Sequence, residues 1–239
     1  MRINAQGMEY SVLNRKIKET PDSEVVLEHV GGQRYIGTGT SGKTIVIDGV
    51  PGNALGAYLN GSTIICNSNT QDATGDTMNQ GEIIIHGNSG DACGYAMRGG
   101  KIFVRGNAGY RAGIHMKAYG TQRPALVIGG CAGNFLGEYQ AGGTIVVLGL
   151  ESSQVPVGDF CGTGIHGGKI FLRCASEPSG FPSQVLLHKA SAQDLEEIMP
   201  ELQRFSTLFS VDMREILNKN FYILTPNTNN PYKQLYTQN

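Results

Sequence analysis

The chain has 239 residues, 34 of them glycine, and a formal net charge of −1. That balance, with no block of Lys or Arg, excludes a nucleic-acid binder that works by neutralising phosphates. No apolar run approaches the roughly 20 residues of a membrane span and no signal-peptide core stands at the N-terminus, so a cytoplasmic protein is expected.

Residues 1–24 carry no repeat and read as a lead-in. From residue 25 to residue 180 a glycine returns on a near-fixed step: Gly37, Gly56, Gly75, Gly94, Gly113, Gly137 and Gly162. The first four intervals are 19 residues and the last two are 24 and 25. A period of about 20 marks stacked repeats, which makes these seven the structural glycines of the fold. Ile45, Ile64, Ile83, Ile102, Leu126 and Ile145 keep the same step, and Ile47, Cys66, Ile85, Val104, Ile128 and Val147 keep it two residues on. Such β-branched runs bounded by glycine read as short strands. Residues two apart point to one side of a strand, so both columns face inward.

A second arm reads G-[ND]-x-x-G in most copies, which suits a turn with positive φ. Before its last glycine lie Leu55, Thr74, Cys93, Ala112, Leu136 and Cys161, and three residues after it Leu59, Met78, Met97, Met116, Gln140 and Ile165; both columns are read as inward. The expected fold is therefore all-β: a single-stranded, right-handed parallel β-helix of about seven coils, each of about 19 residues with two or three short strands, and a short α-helical C-terminal appendage. Inserts near 117–124 and 150–157 are surface loops. Between the inward columns, Val46, Ile65, Ile84, Phe103, Val127, Val146 and Phe171 point outward, yet all are large and apolar. Such a stripe needs a cover, either the C-terminal helices or a partner subunit.

The period stops after Gly180, and 181–239 is the third segment. Ser191 to Asp194 looks like a helix start. Leu195, Ile198, Met199, Leu202 and Phe205 follow at helical spacing, with Pro200 expected to kink or split the helix. A second short helix is expected from Asp212 to about Asn218, then an extended polar tail from Thr225 to Asn239.

The chemical readings are mostly structural. No GxG piece leads into a helix, as a phosphate loop requires. Met78, Met97 and Met116 form one core column, and Asn69, Asn88 and Asn107 a ladder of stacked amides. Asp72, Asp91 and Asp159 share a column at turns. The five cysteines include no CxxC, and Cys66, Cys93 and Cys161 are read as buried small hydrophobes. The five histidines form no HxH or HExxH pair. No catalytic, cofactor-binding or metal residue is assigned. Arg98, Arg105 and Arg111, with Phe103, are the candidate partner-docking face, and His86 and His115 lie on neighbouring coils.

The segments GDACGYAMRGGKIFVRGNAGYRAGIHMKAYG (90–120), GNFLGEYQAGGTIVVLG (133–149) and CGTGIHGGKIFLR (161–173) resemble the GXGXG β-helix domain, the C-terminal domain of the glutamate synthase large subunit. The chain looks like that domain as a stand-alone subunit, and the repeat is also similar to the GXGXG-repeat subunit of formylmethanofuran dehydrogenase. The resemblance extends through DLEEIMPELQRF and DMREILNKNFYILTP in the tail. It implies a non-catalytic scaffold of a glutamate synthase-like complex, making glutamate or a glutamate derivative. The implied partners are a glutamine amidotransferase subunit and a synthase subunit that carries FMN and an iron–sulfur cluster, with no cofactor bound by this chain. A scaffold of a formylmethanofuran dehydrogenase, a free-standing hydrolase or lyase, and self-association all stay open.

Overall fold

The computed structural model of the protein describes residues 1–227; the tail expected at 228–239 lies outside the described residues. The strands are β1 (Arg2–Asn4), β2 (Glu24–Gly31), β3 (Thr44–Val50), β4 (Asn60–Cys66), β5 (Gln80–Ile85), β6 (Lys101–Val104), β7 (Ala125–Ile128), β8 (Ala141–Val147), β9 (Gly167–Cys174), β10 (Val185–Lys189) and β11 (Asn220–Pro226). The helices are α1 (Tyr10–Glu19), α2 (Ala192–Phe209) and α3 (Met213–Ile216). All eleven strands join one sheet in the order β1-β2-β3-β4-β5-β6-β7-β8-β9-β11-β10. It is a mixed sheet. β1 to β9 pair in parallel, and β11 runs antiparallel to both β9 and β10.

This corrects the expected all-β, right-handed parallel β-helix with two or three strands per coil. The described residues form a single 11-stranded sheet with three helices, and each step contributes one strand to it. The second arm supplies only isolated bridges, such as Thr70–Ser89 and Ser89–Ala108. The physical reason lies in its dihedral angles. Two non-glycine positions per step, such as Ala54 and Tyr58 or Phe135 and Tyr139, hold φ between 53° and 61°. A left-handed residue cannot continue an extended strand.

The strand register follows the apolar columns. Ile45, Ile64, Ile83, Ile102, Leu126, Ile145 and Ile170 are successive partners across β3 to β9. On that face the turn segments fold back over the sheet, and Leu55, Leu59, Met78, Met97, Met116 and Leu136 join the strand residues in one buried core. Cys66, Cys93, Cys161 and Cys174 are buried too, while Cys131 is half-buried. Burial pushes the Cys93 thiol up to about 11 and the Cys161 thiol to about 12.

The opposite face carries the apolar stripe, and α2 covers it. Ile198, Leu202, Phe205 and Phe209 pack with Ile84, Phe103, Val127, Val146 and Phe171 in a second core. Burying one such large side chain contributes about 1.5–3 kcal/mol. Val46, beyond this cluster, stays half-buried. A capping box starts α2: the Ser191 hydroxyl accepts from the Asp194 amide at 3.2 Å, and the Asp194 carboxylate accepts from the Ser191 amide at 2.9 Å. The Ser191 hydroxyl, which donates to the Asp194 carboxylate at 2.6 Å, and the Ser191 amide hold that carboxyl below its usual range. Pro200 does not split α2, which runs unbroken to Phe209. Its apolar residues are anchored to the sheet on both sides of the proline, which outweighs one missing hydrogen bond.

Four elements near the ends, β1, α1, β10 and β11, were not expected. β1 pairs with β2, and α1 buries Leu13 and Ile17. β11 fills the slot between β9 and β10. Arg173, at the end of β9, fastens this region. It is 2% exposed and donates to the carbonyls of Leu148, Glu215 and Ile216, each at 2.8 Å, and to Asn218 Oδ1 at 2.7 Å.

Candidate functional site

The turn segments build a second long surface, facing away from α2. Row one of left-handed residues is Tyr35, Ala54, Ala73, Ala92, Arg111, Phe135 and Phe160; row two is Tyr58, Thr77, Ala96, His115 and Tyr139. Left-handed backbone costs a non-glycine residue about 1–2 kcal/mol. The stacking offsets that cost, because each such residue before Phe160 donates its N–H to a carbonyl one step on. Examples are Ala73 to Asp91, Arg111 to Asn134, Phe135 to Asp159 and Tyr139 to Thr163, all at 2.8–2.9 Å. The Asp and Asn columns do the same with side chains. Asp72 Oδ1 accepts from the Asp91 amide at 2.9 Å and Asp91 Oδ1 from the Tyr110 amide at 2.8 Å. Asn69, Asn88 and Asn107 likewise accept from the amides of Asn88, Asn107 and Cys131. The asparagine ladder is thus made of side chain to backbone bonds, not amide to amide bonds.

From residue 95 onward aromatic side chains on this face stack into ladders. Tyr95, His115 and Tyr139 form one ladder, with ring centres 5.9 and 5.2 Å apart. Tyr110, Phe135 and Phe160 form another, at 5.4 and 4.8 Å. Gly164 is the seat of the last ring of the first ladder, since a Cβ there would overlap the Tyr139 ring. Arg111 packs on the second ladder. Its guanidinium lies 4.8 Å from the Tyr110 ring centre and 5.6 Å from that of Phe135. Its Nε is 2.8 Å from Glu138 Oε2, an ion pair in bent geometry with the glutamate buried. Phe160 is 55% exposed and Tyr139 38%, so the rings form a surface rather than a core.

The four residues expected to share a docking face are spread over several places. Arg111 belongs to the aromatic face. Phe103 is fully buried beneath α2. Arg105 lines a groove of about 680 Å³ between the sheet edge and the C-terminal end of α2, with His86, Asn88, Cys131, Glu151 and Glu215. His86 stands edge-on to Phe209 at 5.3 Å. The glutamates there offset the arginine charge. Arg98 is exposed in the turn before β6, where its amide donates to Met78. The seven structural glycines all have positive φ, between 63° and 73°. The ladder aromatics were not singled out from the sequence. The signal was present in the 25-residue interval from Phe135 to Phe160 and the 24-residue interval from His115 to Tyr139. Among the described residues no group of three His, Cys, Asp or Glu is placed to hold a metal ion, and no helix is long and apolar enough to cross a membrane.

A chain whose every step gives one parallel strand and one glycine-closed turn defines a class, and comparison with known proteins identifies it. The chain belongs to the GXGXG motif family, which matches residues 11–226. It is 43% identical over 249 aligned positions to an uncharacterized protein, MJ1350, of Methanocaldococcus jannaschii, covering 98% of this chain and 95% of that one. Among solved structures it is similar to a chain of the formyltransferase/hydrolase complex (FhcABCD) of Methylorubrum extorquens in complex with methylofuran. The TM-score is 0.65 at 19% identity, over 92% of this chain and 89% of that chain, a likeness of fold. The family resemblance read from residues 90–173 is borne out.

Proposed function

We propose that this chain is a non-catalytic structural subunit of a multi-subunit complex of the glutamate synthase type. In this reading a glutamine amidotransferase subunit releases ammonia, and a synthase subunit with FMN and an iron–sulfur cluster consumes it to make glutamate or a glutamate derivative. This chain holds them in register. The observation that carries the reading is the GXGXG match over residues 11–226. The fold adds support: the recurring residues are spent on inward columns and turn bonds, which yields a stiff body with an exposed aromatic side. A second reading, a scaffold akin to the GXGXG-repeat subunit of formylmethanofuran dehydrogenase, is favoured by the fold likeness to a chain of a formyltransferase/hydrolase complex.

The test is affinity purification of the tagged chain from its native host, with mass spectrometry and an absorption spectrum of the eluate. Recovery of an amidotransferase with a yellow-brown flavoprotein supports the first reading. Recovery of formyl-transfer or pterin-type oxidoreductase subunits selects the second. Elution without stoichiometric partners sinks both.

A further inference from the structure

The turn face has no cover within the described chain, because α2 lies on the other side of the sheet. Its rings form one continuous surface, and a continuous exposed apolar surface marks an interaction site. From Tyr35 to Phe160 row one spans six spacings of about 4.8 Å, or roughly 30 Å.

The charges along its borders identify the occupant. One border, next to row one, carries Asp72, Asp91 and Asp159, all exposed, with Arg34 exposed at its first step. The other border, just past row two, carries Arg98 and Lys117, also exposed. Asp91 and Arg98 sit in the same step, on opposite borders. A face with acid on one side and base on the other is complementary to itself under only one kind of two-fold rotation. An axis across the rows lays aspartate on aspartate. An axis parallel to the rows exchanges the borders and keeps the steps level, so Asp91 of each copy meets Arg98 of the other. The same rotation lays row one over row two step by step, Phe135 over Tyr139 and Phe160 over Gly164, where the Tyr139 ring sits. We infer that the turn face is a two-fold interface between two copies of this chain, with the axis along the stacking direction. The interface is isologous, and each contact occurs twice.

This inference is independent of which complex the chain serves. The test is sedimentation equilibrium of the pure full-length chain, alone, at concentrations up to about 100 µM. A dimer is expected, and it weakens as salt is raised, because its border pairs are exposed. Phe160→Ser and Arg98→Glu each weaken it by at least about tenfold, the effect of truncating a central contact or reversing a paired charge. Tyr119→Ser, at an exposed tyrosine in the 117–124 insert, leaves it unchanged. Circular dichroism melting checks that each variant is folded. A monomer at every concentration overturns the inference, as does a dimer indifferent to both substitutions. If the chain is monomeric and Phe160→Ser instead abolishes co-purification of another subunit, the face belongs to that subunit. The two-copy inference then fails while the subunit role stands. A face-dependent dimer that recovers no other subunit sustains the inference and sinks the subunit role.

Discussion

Three glycines separate backbone strain from steric overlap, and substituting each by alanine grades the two. Gly94 has φ of 72° but open space: a Cβ would lie 3.7 Å from its nearest neighbour, Leu126 Cδ2. Gly94→Ala should cost only the left-handed penalty, about 1–2 kcal/mol. Gly113 has nearly the same φ, 68°, but its Cβ would overlap Ile145 Cδ1 inside the sealed core, with Cγ1 at 3.4 Å. Overpacking adds about 1–3 kcal/mol, for a total of about 2–5. Gly81 sits at the bulge between β4 and β5 with φ of 102°, and its Cβ would overlap the carbonyl oxygen of Ser62. Backbone cannot step aside as a side-chain end can, so Gly81→Ala should cost more than about 4 kcal/mol or prevent folding. The assay is guanidinium denaturation of the three variants. Ile145→Val, which removes Cδ1, supplies the control. Alone it costs about 0.5–1.5 kcal/mol. In the Gly113→Ala background it should restore about 1 kcal/mol or more, and it should restore nothing in Gly81→Ala. Equal losses at the three glycines, or no coupling between 113 and 145, would refute the reasoning.

Two further predictions concern buried groups. Arg173→Met strips the carbonyls of Leu148, Glu215 and Ile216 of their donor and should cost about 3–5 kcal/mol. It should also open residues 190–227 to limited proteolysis, and a loss under about 1 kcal/mol would contradict the pinning role. The buried thiols predict alkaline sensitivity. Burial raises Cys93 and Cys174 from 9.0 to about 11 and Cys161 to about 12. A raised folded value means the stabilisation is complete below pH 9 and is lost as pH rises toward 11–12, by up to about 1.4 kcal/mol per unit for each thiol. Denaturation midpoints should therefore fall less steeply above pH 9 in Cys161→Ala than in the natural chain, and parallel curves would count against it.

Those features of the fold set by repetition were legible in the chain. Ile45 and Ile47 with their counterparts recur because every strand meets the same neighbours, so one periodic demand is written many times. Phe103 and its column were recognisable as apolar residues in need of a cover, and α2 is that cover. What the repeat does not write was harder to see. α1 shows only Leu13 and Ile17 on its buried side, too few for a helical period. The run Asn220–Pro226 becomes a strand because the gap between β9 and β10 accepts it, a property of tertiary context. The glycine turn of the second arm was read, but each coil was also given two or three strands, because the alanines and aromatics of that arm carry no mark of left-handed backbone. Hydrogen bonds from the next step impose that conformation. The arginines at 98, 105 and 111 looked like one patch because they lie on neighbouring coils, although 105 follows a strand and 111 lies in a turn.

The placement of the ladders also says where this chain differs from a bare repeat. After Tyr35 in the first step, row one is alanine at 54, 73 and 92, then Arg111, Phe135 and Phe160. The change falls where the step lengthens from 19 to 24 and 25 residues. Inserts leave the turn columns and the sheet register intact, since Lys101 to Val104 still pair with Ala125 to Ile128. The core therefore exerts no pressure for larger side chains on the far side of the turn. Aromatic rings held in left-handed backbone at an exposed surface gain little for folding, because most of their area stays in water. A group that costs strain and contributes little to the fold is accounted for by contacts made outside it. On that ground residues 110–166, rather than the regular steps before them, are where substitutions should separate assembly from stability.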